Sequence, residues 1–276
     1  MNVTDLTVAA AQCNPVLGDV EANAAVHRDW IAQARSAAAE LLVFPELSLT
    51  GYGLGAKVAE VALTANAPIL LALAEAAGDI QVVAGFVEQL SPGEYANSLA
   101  ILQHGQVLAI HRKLYLPTYG GLEEGKWFTP GNALTRTEIR HGWSASHLIC
   151  ADLWNPGLVH AAALQRPNVL CAPVNSASGI VSAEFSNERN WGINVSFYAM
   201  TYGLPVILAN RYGPEGDHHF WGGSRIVGPR GEVLAMAEDR EMLITATLSH
   251  AAIAKARLDC PTLRDANTPL VRQLLG

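Results

Sequence analysis

The chain alternates between short apolar runs and longer segments in which apolar residues recur every three or four positions. Four apolar runs of four to seven residues carry no charged side chain, at 6–12, 41–44, 169–174 and 242–248. Runs of this length and composition are typical of strands buried on both faces. We therefore predict four buried strands at these positions.

Helical spacing is clearest after Asp19, where Val26, Trp30, Ala34 and Ala38 recur on one face with polar residues opposite. Asp19 is the predicted N-cap, because its carboxylate can accept first-turn N–H groups, and we expect this helix to extend to about residue 40. The other predicted elements are helices at about 57–77, 156–165 and 187–202, strands at 80–87, 97–102, 107–111 and 205–210, a strand ending at Cys150, a hairpin of 221–227 with 232–237, and a loop at 114–132.

Strands and helices are mixed along the whole sequence, and several strands follow one another directly. This order predicts an α/β fold with mixed sheets and helices on the outer faces. The two halves of the chain supply similar elements, and no linker separates them. We therefore expect residues 1–276 to form a single domain with a two-sheet core.

Composition narrows the classes of function. The chain has 276 residues, of which 50% are hydrophobic and 16% charged, with a formal net charge of -7. Nucleic acids and anionic membranes are bound by clustered Lys and Arg, so we expect neither as a partner. The N-terminus lacks a basic signal region, no apolar run is long enough to span a bilayer, and the four cysteines form no C-x-x-C pair. These features favour a reducing, cytoplasmic location.

Three reactive side chains follow apolar runs. Glu46 comes after 41–44, Lys113 after 107–111, and Cys150 ends 146–150. A thiol between a strand and a helix lies beside the free N–H groups and positive dipole of the helix, so we expect thiolate to be favoured at Cys150. Side chains at the ends of three strands suggest one common site.

These segments resemble the nitrilase superfamily of carbon–nitrogen hydrolases. The resemblance is carried, in the family's order, by Phe44-Pro45-Glu46, Arg112-Lys113 with Leu116-Pro117, Phe128-Thr129-Pro130-Gly131, Ile149-Cys150-Ala151-Asp152-Leu153-Trp154, Ala209-Asn210-Arg211, Gly223-Ser224-Arg225-Ile226-Val227 with Pro229-Arg230-Gly231, and Ala256-Arg257. It implies a four-layer αββα sandwich of two mixed sheets flanked by helices. It also implies a homodimer or higher homo-oligomer, for which the 187–202 helix and the C-terminal segment are the candidate contacts.

The resemblance implies a catalytic triad of Glu46, Lys113 and Cys150. Glu46 would act as general base, Cys150 as nucleophile, and Lys113 would stabilise the oxyanion together with the backbone N–H of Ala151. A second carboxylate is implied in the loop after the lysine. Glu124 fits that place, and Glu123 is the alternative register. No cofactor and no metal are implied.

The expected reaction is hydrolysis of a small amide to a carboxylic acid and ammonia or an amine, through a cysteine thioester. A nitrile substrate remains open, because the same triad can attack a C≡N carbon, and so does a catalytically silent scaffold protein. Trp154 stands where some branches carry a basic residue, which favours an apolar wall. Ser176 lies in a segment similar to one that handles the amide in glutamine-hydrolysing members, and Tyr52 and Tyr119 are further candidates for substrate binding.

Three other patterns suggest chemistry that we do not expect. The segment 51–56 fits the dinucleotide fingerprint G-x-G-x-x-A, but six residues separate it from the preceding strand. Asp217-His218-His219 contains neighbouring histidines, which point to opposite faces of an extended chain and rarely share a metal ion. His147 would point away from Cys150 by strand alternation and is predicted to be structural.

Overall fold

The computed structural model describes residues 4–275, which form two mixed six-stranded sheets and a separate two-stranded hairpin. The strands are β1 Leu6–Gln12, β2 Leu41–Val43, β3 Gln81–Ser91, β4 Glu94–Gln103, β5 Gln106–Arg112, β6 Thr135–Arg140, β7 Trp143–His147, β8 Val169–Val174, β9 Val206–Asn210, β10 Tyr212–Glu215, β11 His218–Trp221, β12 Arg225–Val227, β13 Val233–Met236 and β14 Met242–Leu248. The α-helices are α1 Val20–Ser36, α2 Val58–Val61, α3 Pro68–Ala77, α4 Glu124–Trp127, α5 Pro156–Leu164, α6 Asn187–Tyr202, α7 His250–Asp259 and α8 Thr268–Leu275, with 3-10 turns at Gly55–Lys57 and Cys150–Trp154.

The two sheets have matching topologies. The first has the strand order β14-β1-β2-β3-β4-β5, and the second has the order β13-β12-β9-β8-β7-β6. Three central strands are parallel in each sheet, β1, β2 and β3 in the first and β7, β8 and β9 in the second, and the outer pairs are antiparallel. Parallel strands require covered faces, which is why the central strands β2 and β8 are apolar at every position.

Three apolar clusters hold four layers together. One lies between the sheets and joins residues such as Val8 of β1 to Cys171 of β8. A second packs α1 and α3 on the outer face of the first sheet, and a third packs α5 and α6 on the outer face of the second. The expected αββα sandwich is therefore confirmed, and Cys171 is a buried core residue as expected.

Strongly patterned segments form the predicted elements. The strands 6–12, 169–174 and 242–248 and the helix 187–202 have the predicted bounds. The Asp19 carboxylate caps α1 by accepting the backbone N–H of Ala22 over 3.0 Å, as predicted. That helix ends at Ser36 rather than near residue 40, because Ala38 turns into the left-handed region with a φ of 55°.

The predicted helix at 57–77 is wrong in its middle. Helix α2 stops at Val61, and α3 begins only at Pro68. Proline disfavours a helical residue before it and has no N–H to donate, so Ala67 is extended and Pro68 opens a new helix. Between the two helices, Leu63 forms a bridge with Glu88 at the edge of β3.

Further differences lie in the C-terminal half. The hairpin of β10 and β11 was not predicted, and the strand expected at 221–227 is split between β11 and β12. Helices α7 and α8 follow the last strand, in a part of the chain for which the pattern predicted nothing. Among the described residues, no helix is both long and apolar enough to cross a membrane.

Candidate active site

Cys150 lies at a sharp bend between β7 and α5. The strand ends at His147 rather than at Cys150 as predicted, and a 3-10 turn begins at Cys150 itself. The φ of Cys150 is 45°, a left-handed conformation that residues other than glycine seldom adopt. Such backbone strain is concentrated at functional sites, where it presents a side chain in a required direction.

Lys113 is bound between two carboxylates. Its ammonium group donates to Oε1 of Glu46 over 2.6 Å and to Oε1 of Glu124 over 2.7 Å. All three residues are buried. The side chain of Glu123, by contrast, is 69% exposed and faces Lys126. The structure therefore brings Glu124 into contact with the lysine and directs Glu123 outward.

Amide and hydroxyl groups fix the two carboxylates. Asn97 of β4 donates to Oε1 of Glu46 over 2.7 Å, and the Tyr52 hydroxyl donates to Oε1 of Glu124 over 2.6 Å. The Asn175 side chain donates to the backbone carbonyl of Glu46 over 2.6 Å. The second oxygen of each carboxylate is buried and has no hydrogen-bond partner among residues 4–275. Each acid thus retains one free acceptor.

A glycine in β3 allows the Glu46 loop to approach the sheet. A Cβ atom on Gly85 would lie 2.2 Å from the backbone nitrogen of Leu47 and 2.9 Å from the carbonyl carbon of Glu46. No side chain can be accommodated at such distances, so only glycine permits this packing. The position of the Glu46 carboxylate therefore depends on a residue without a side chain in the neighbouring strand.

The environment of Cys150 favours the neutral thiol, so our expectation that thiolate would be favoured is wrong. Burial, followed by the negative charge of Glu46, raises the pKa of Cys150 well above its ordinary value. The Lys113 charge and a hydrogen bond from the Asn175 backbone act in the opposite direction but are outweighed. A base is therefore needed to remove the thiol proton, and Glu46 is the carboxylate with the largest effect on this group.

The charge states of Glu124 and Lys113 follow from their burial beside one another. Burial raises the pKa of Glu124 to about 7, the Lys113 ammonium opposes that rise, and the Glu46 charge adds to it. Burial alone would lower the pKa of Lys113, but the charges of Glu124 and Glu46 raise it well above its ordinary value. Lys113 is consequently a fixed cation, while Glu124 can exchange a proton near neutral pH.

Asp152 connects the loops of the lysine and the cysteine, a role that the sequence reasoning missed. Its carboxylate accepts the backbone N–H groups of Leu114 over 3.0 Å, Tyr115 over 2.7 Å and Ile149 over 2.9 Å. The side chain is fully buried. Its place two residues after Cys150 is the one signal in the sequence that could have identified it.

A cavity of about 230 Å³ opens over Cys150. All five residues expected to bind substrate line this cavity, namely Tyr52, Tyr119, Ala151, Trp154 and Ser176. Cys150, Glu124, Asn175 and several apolar side chains complete the lining. The Ser176 hydroxyl accepts Nδ2 of Asn187 over 3.0 Å and Nε1 of Trp221 over 3.1 Å, which leaves its own proton available to another acceptor. The five residues therefore lie together around one cavity.

The three remaining patterns do not supply the chemistry that each suggested. His147 is buried, and its Nε2 is paired with the Thr137 hydroxyl at 2.9 Å. In the 51–56 loop, the backbone N–H groups of Tyr52 and Gly53 donate to the carboxylate of Glu215, which occupies the donors that a phosphate would need. His218 and His219 are exposed on β11, and no group of three or more His, Cys, Asp or Glu in the described chain could hold a metal ion.

Comparison with known proteins identifies the family and the fold. A family model described as Carbon-nitrogen hydrolase matches residues 7–258. An amidase of the nitrilase superfamily from Nesterenkonia AN1 superposes with a TM-score of 0.80 at 27% identity, covering 98% of this chain and 97% of that one. A carbon-nitrogen hydrolase from Helicobacter pylori G27 gives a TM-score of 0.83 at 25% identity, covering 99% of both chains.

Two groups of curated relatives differ in length. The N-carbamoylputrescine amidase of Arabidopsis thaliana is 26% identical over 273 residues, covering 93% of this chain and 91% of the plant protein. The glutamine-dependent NAD(+) synthetase of Thermotoga maritima is 29% identical over 239 residues, covering 83% of this chain but 39% of the synthetase. The chain therefore spans less than half the length of such synthetases.

Proposed function

The chain belongs to the carbon-nitrogen hydrolase family, and on that premise we propose that it hydrolyses the C–N bond of a small amide through a thioester on Cys150. The observation that carries the proposal is the placement of Lys113 between Glu46 and Glu124, beside the cavity that Cys150 lines. A carboxylate base, a fixed cation and a thiol are the groups that acyl transfer from an amide requires.

In the first half-reaction, Glu46 takes the proton of the Cys150 thiol while the sulfur attacks the amide carbonyl carbon. The carbonyl π electrons move to oxygen, and the Lys113 ammonium stabilises the resulting oxyanion, together with the backbone N–H of Ala151. When the oxyanion collapses, the C–N bond breaks and Glu46 returns its proton to the departing nitrogen. Ammonia or an amine leaves, and the acyl group remains on sulfur.

In the second half-reaction, Glu46 removes a proton from water, and the hydroxide attacks the thioester carbon. Collapse of this second oxyanion breaks the C–S bond, releases the carboxylic acid and returns the sulfur to the thiol form with the proton held by Glu46. The free oxygen of Glu46 supports this shuttle, because it is buried and has no competing hydrogen bond among the described residues.

Hydrogen-bonding capacity favours an amide over a nitrile. Glu124 lines the cavity, and its second oxygen has no donor within residues 4–275. A primary amide brings two N–H donors to such an acceptor, whereas a nitrile brings none, and an unpaired buried acceptor costs free energy. Glu124 would thus orient the substrate nitrogen while it holds Lys113. Hydrolysis of a small nitrile is the second candidate.

The proposal is tested by ammonia release from a panel of primary amides, carbamoyl compounds and nitriles. We expect turnover of at least one amide by the wild type and none by Cys150→Ala. Cys260→Ala is the matched control, because Cys260 is exposed and is not one of the residues that line the cavity. This variant should retain wild-type turnover. Undiminished turnover by Cys150→Ala would refute the mechanism, and no turnover on a broad panel would favour a silent scaffold protein.

We also propose that a second copy of the chain covers the outer face of α6. This helix has three large apolar side chains that are more than half exposed, Ile193, Phe197 and Met200. Met236 of the nearby β13 is also more than half exposed. Helix α8, at the C-terminal end, exposes Leu270 and Leu274 and is the second candidate contact. We expect a dimer or larger assembly by light scattering, weakened by Phe197→Glu but not by Leu108→Glu on β5. A monomer at all concentrations would contradict this.

A further inference from the structure

We infer that the acyl part of the substrate is uncharged and apolar, an inference that rests on the proposed amide hydrolysis and specifies its substrate class. The cavity lining supplies the reason. Among the lining residues that the structure describes, Glu124 is the single acidic or basic residue (Asp, Glu, Lys, Arg or His), and its carboxylate is already paired with Lys113. A charged group on the substrate would therefore find no counter-ion in this cavity.

The wall facing the acyl group is aromatic. The rings of Trp154 and Trp191 lie 5.0 Å apart, and those of Trp154 and Phe185 lie 5.7 Å apart, both pairs edge to face. Trp191 is buried on α6, while Phe185 is partly exposed at the end of the loop that also places Ile180 and Val181 against the cavity. Rings that pack against one another in this way form a fixed apolar surface rather than a set of adaptable contacts.

The neutral polar groups of the lining cannot neutralise the charge of a carboxylate. Nδ2 of Asn187 is already used by Ser176 and by the carbonyl of Ala177, and Nδ2 of Asn175 by the carbonyl of Glu46. The buried Oδ1 oxygens of these two asparagines lack a partner within residues 4–275, and they are acceptors. The Ser176 hydroxyl can still donate to a carboxylate, but a neutral donor does not replace a counter-ion for a buried charge, so an anionic acyl group is strongly disfavoured.

An ammonium group is disfavoured for a different reason. The asparagine oxygens and the aromatic faces would attract it, but removing an ion from water without a counter-ion costs more than one cation–π contact returns. The cavity volume of about 230 Å³ also favours a small acyl group, since drug-sized ligands occupy pockets of roughly 300–1,000 Å³. A short aliphatic amide satisfies all of these conditions.

The test compares three amides of nearly equal size. Butyramide ends in a methyl group, succinamate carries a carboxylate in its place, and 3-aminopropanamide carries an ammonium. We expect kcat/KM for butyramide to exceed that for either charged amide by at least about 100-fold. Equal turnover of a charged amide would overturn the inference and leave the proposed hydrolysis intact. If none of the amides tried is hydrolysed, charged or uncharged, both the inference and the proposed hydrolysis are contradicted.

A substitution at Phe185 tests whether this wall selects the acyl group. Phe185→Lys adds a cation at the cavity wall in a partly exposed loop, where a fold defect is less of a risk than at Trp191, and Phe185→Gln controls for loss of the ring. We expect the ratio of kcat/KM for succinamate to that for butyramide to rise at least about tenfold in the lysine variant and to stay near the wild-type ratio in the glutamine variant. The same ratio in both variants, with butyramide still hydrolysed, would overturn the inference.

Discussion

Oδ1 of Asp152 accepts the backbone N–H of Tyr115 over 2.7 Å, and through this bond the turn that carries Cys150 holds the loop that carries Lys113. The same oxygen accepts the N–H of Leu114, and Oδ2 accepts the N–H of Ile149. A buried carboxylate with three backbone donors is a rigid connection, because each donor would be left unpaired if the side chain moved. The separation between the lysine and the thiol therefore depends on Asp152.

We expect Asp152→Asn to lower kcat by about 100-fold with little change in KM. An asparagine can keep two of the three bonds, but its NH2 group would face the N–H of one donor and push the loops apart. A displacement of about 1 Å between reacting groups is enough to cost about 100-fold in rate. Steady-state kinetics on the best amide, with urea unfolding of the same sample, separate the loss of positioning from a loss of stability.

Glu88→Gln is the matched control for Asp152→Asn. Glu88 is also a buried carboxylate, and it pairs with Arg112, the residue before Lys113, at 2.6 Å. We expect this variant to be less stable while its kcat stays within about threefold of the wild type. If the two variants lose kcat equally, Asp152 acts only through stability and has no positioning role.

Burial raises the pKa of Glu124, and the hydroxyl of Tyr52 is one of the groups that oppose this rise. Its hydrogen bond to Glu124 lowers the pKa of that carboxyl, so Tyr52→Phe should raise this pKa and move the acid limb of the kcat/KM profile to higher pH. At pH 7 we expect a loss on the order of tenfold. Tyr119→Phe alters the same cavity at a tyrosine without a bond to Glu124, and it should leave the acid limb in place. An unmoved limb in Tyr52→Phe would contradict this assignment.

Burial of Glu124 makes the stability of the fold depend on pH. Because its pKa is raised from 4.5 to about 7, the folded protein retains a proton that the unfolded chain releases between these values. The stabilisation that this proton gives the fold is complete below pH 4.5 and is lost as the pH rises through 7. Over this range the free energy of unfolding falls with a slope approaching about 1.4 kcal/mol per pH unit.

Glu124→Gln removes that pH dependence. Urea unfolding at pH 5, 6, 7 and 8 should show the variant gaining stability relative to the wild type as the pH rises to about 7. The exposed Glu123→Gln is the control and should show a constant difference. A constant difference for Glu124→Gln would mean that Glu124 titrates normally in the folded protein.

The sequence predicted those elements of the fold that carry a strong local pattern of apolar residues. The strand 169–174 and the helix 187–202 were predicted to the residue, because a buried run or a well-bounded helix carries its own signal. The hairpin of β10 and β11 was missed, since it contains Gly213 and Pro214 and shows no alternation of apolar and polar residues. The error at helix α3 was the opposite one: the sequence predicted too much helix, because an Ala/Leu-rich pattern concealed the break at Pro68.

The site was predicted in part for a similar reason. Charged and thiol side chains that follow apolar runs, such as Glu46 and Lys113, are visible in the sequence. Asn97 and Asp152 are not, because polar side chains in strands and turns look solvated until tertiary contacts bury them. The neutral state of the Cys150 thiol was mispredicted because local position suggested a helix dipole, whereas burial and the Glu46 charge decide the pKa. That residues 1–276 form a single domain stays a prediction.

Quenched turnover followed by peptide mass spectrometry tests the central claim most directly. The wild type is mixed with butyramide, stopped with acid within a turnover, digested, and searched for a butyryl mass on each cysteine peptide. Cys13, Cys171 and Cys260 are internal controls in the same digest. We predict a butyryl group on Cys150 alone, lost with time as free butyrate appears. An amide that is hydrolysed without any adduct on Cys150, or with equal adducts on the other cysteines, would contradict the thioester mechanism.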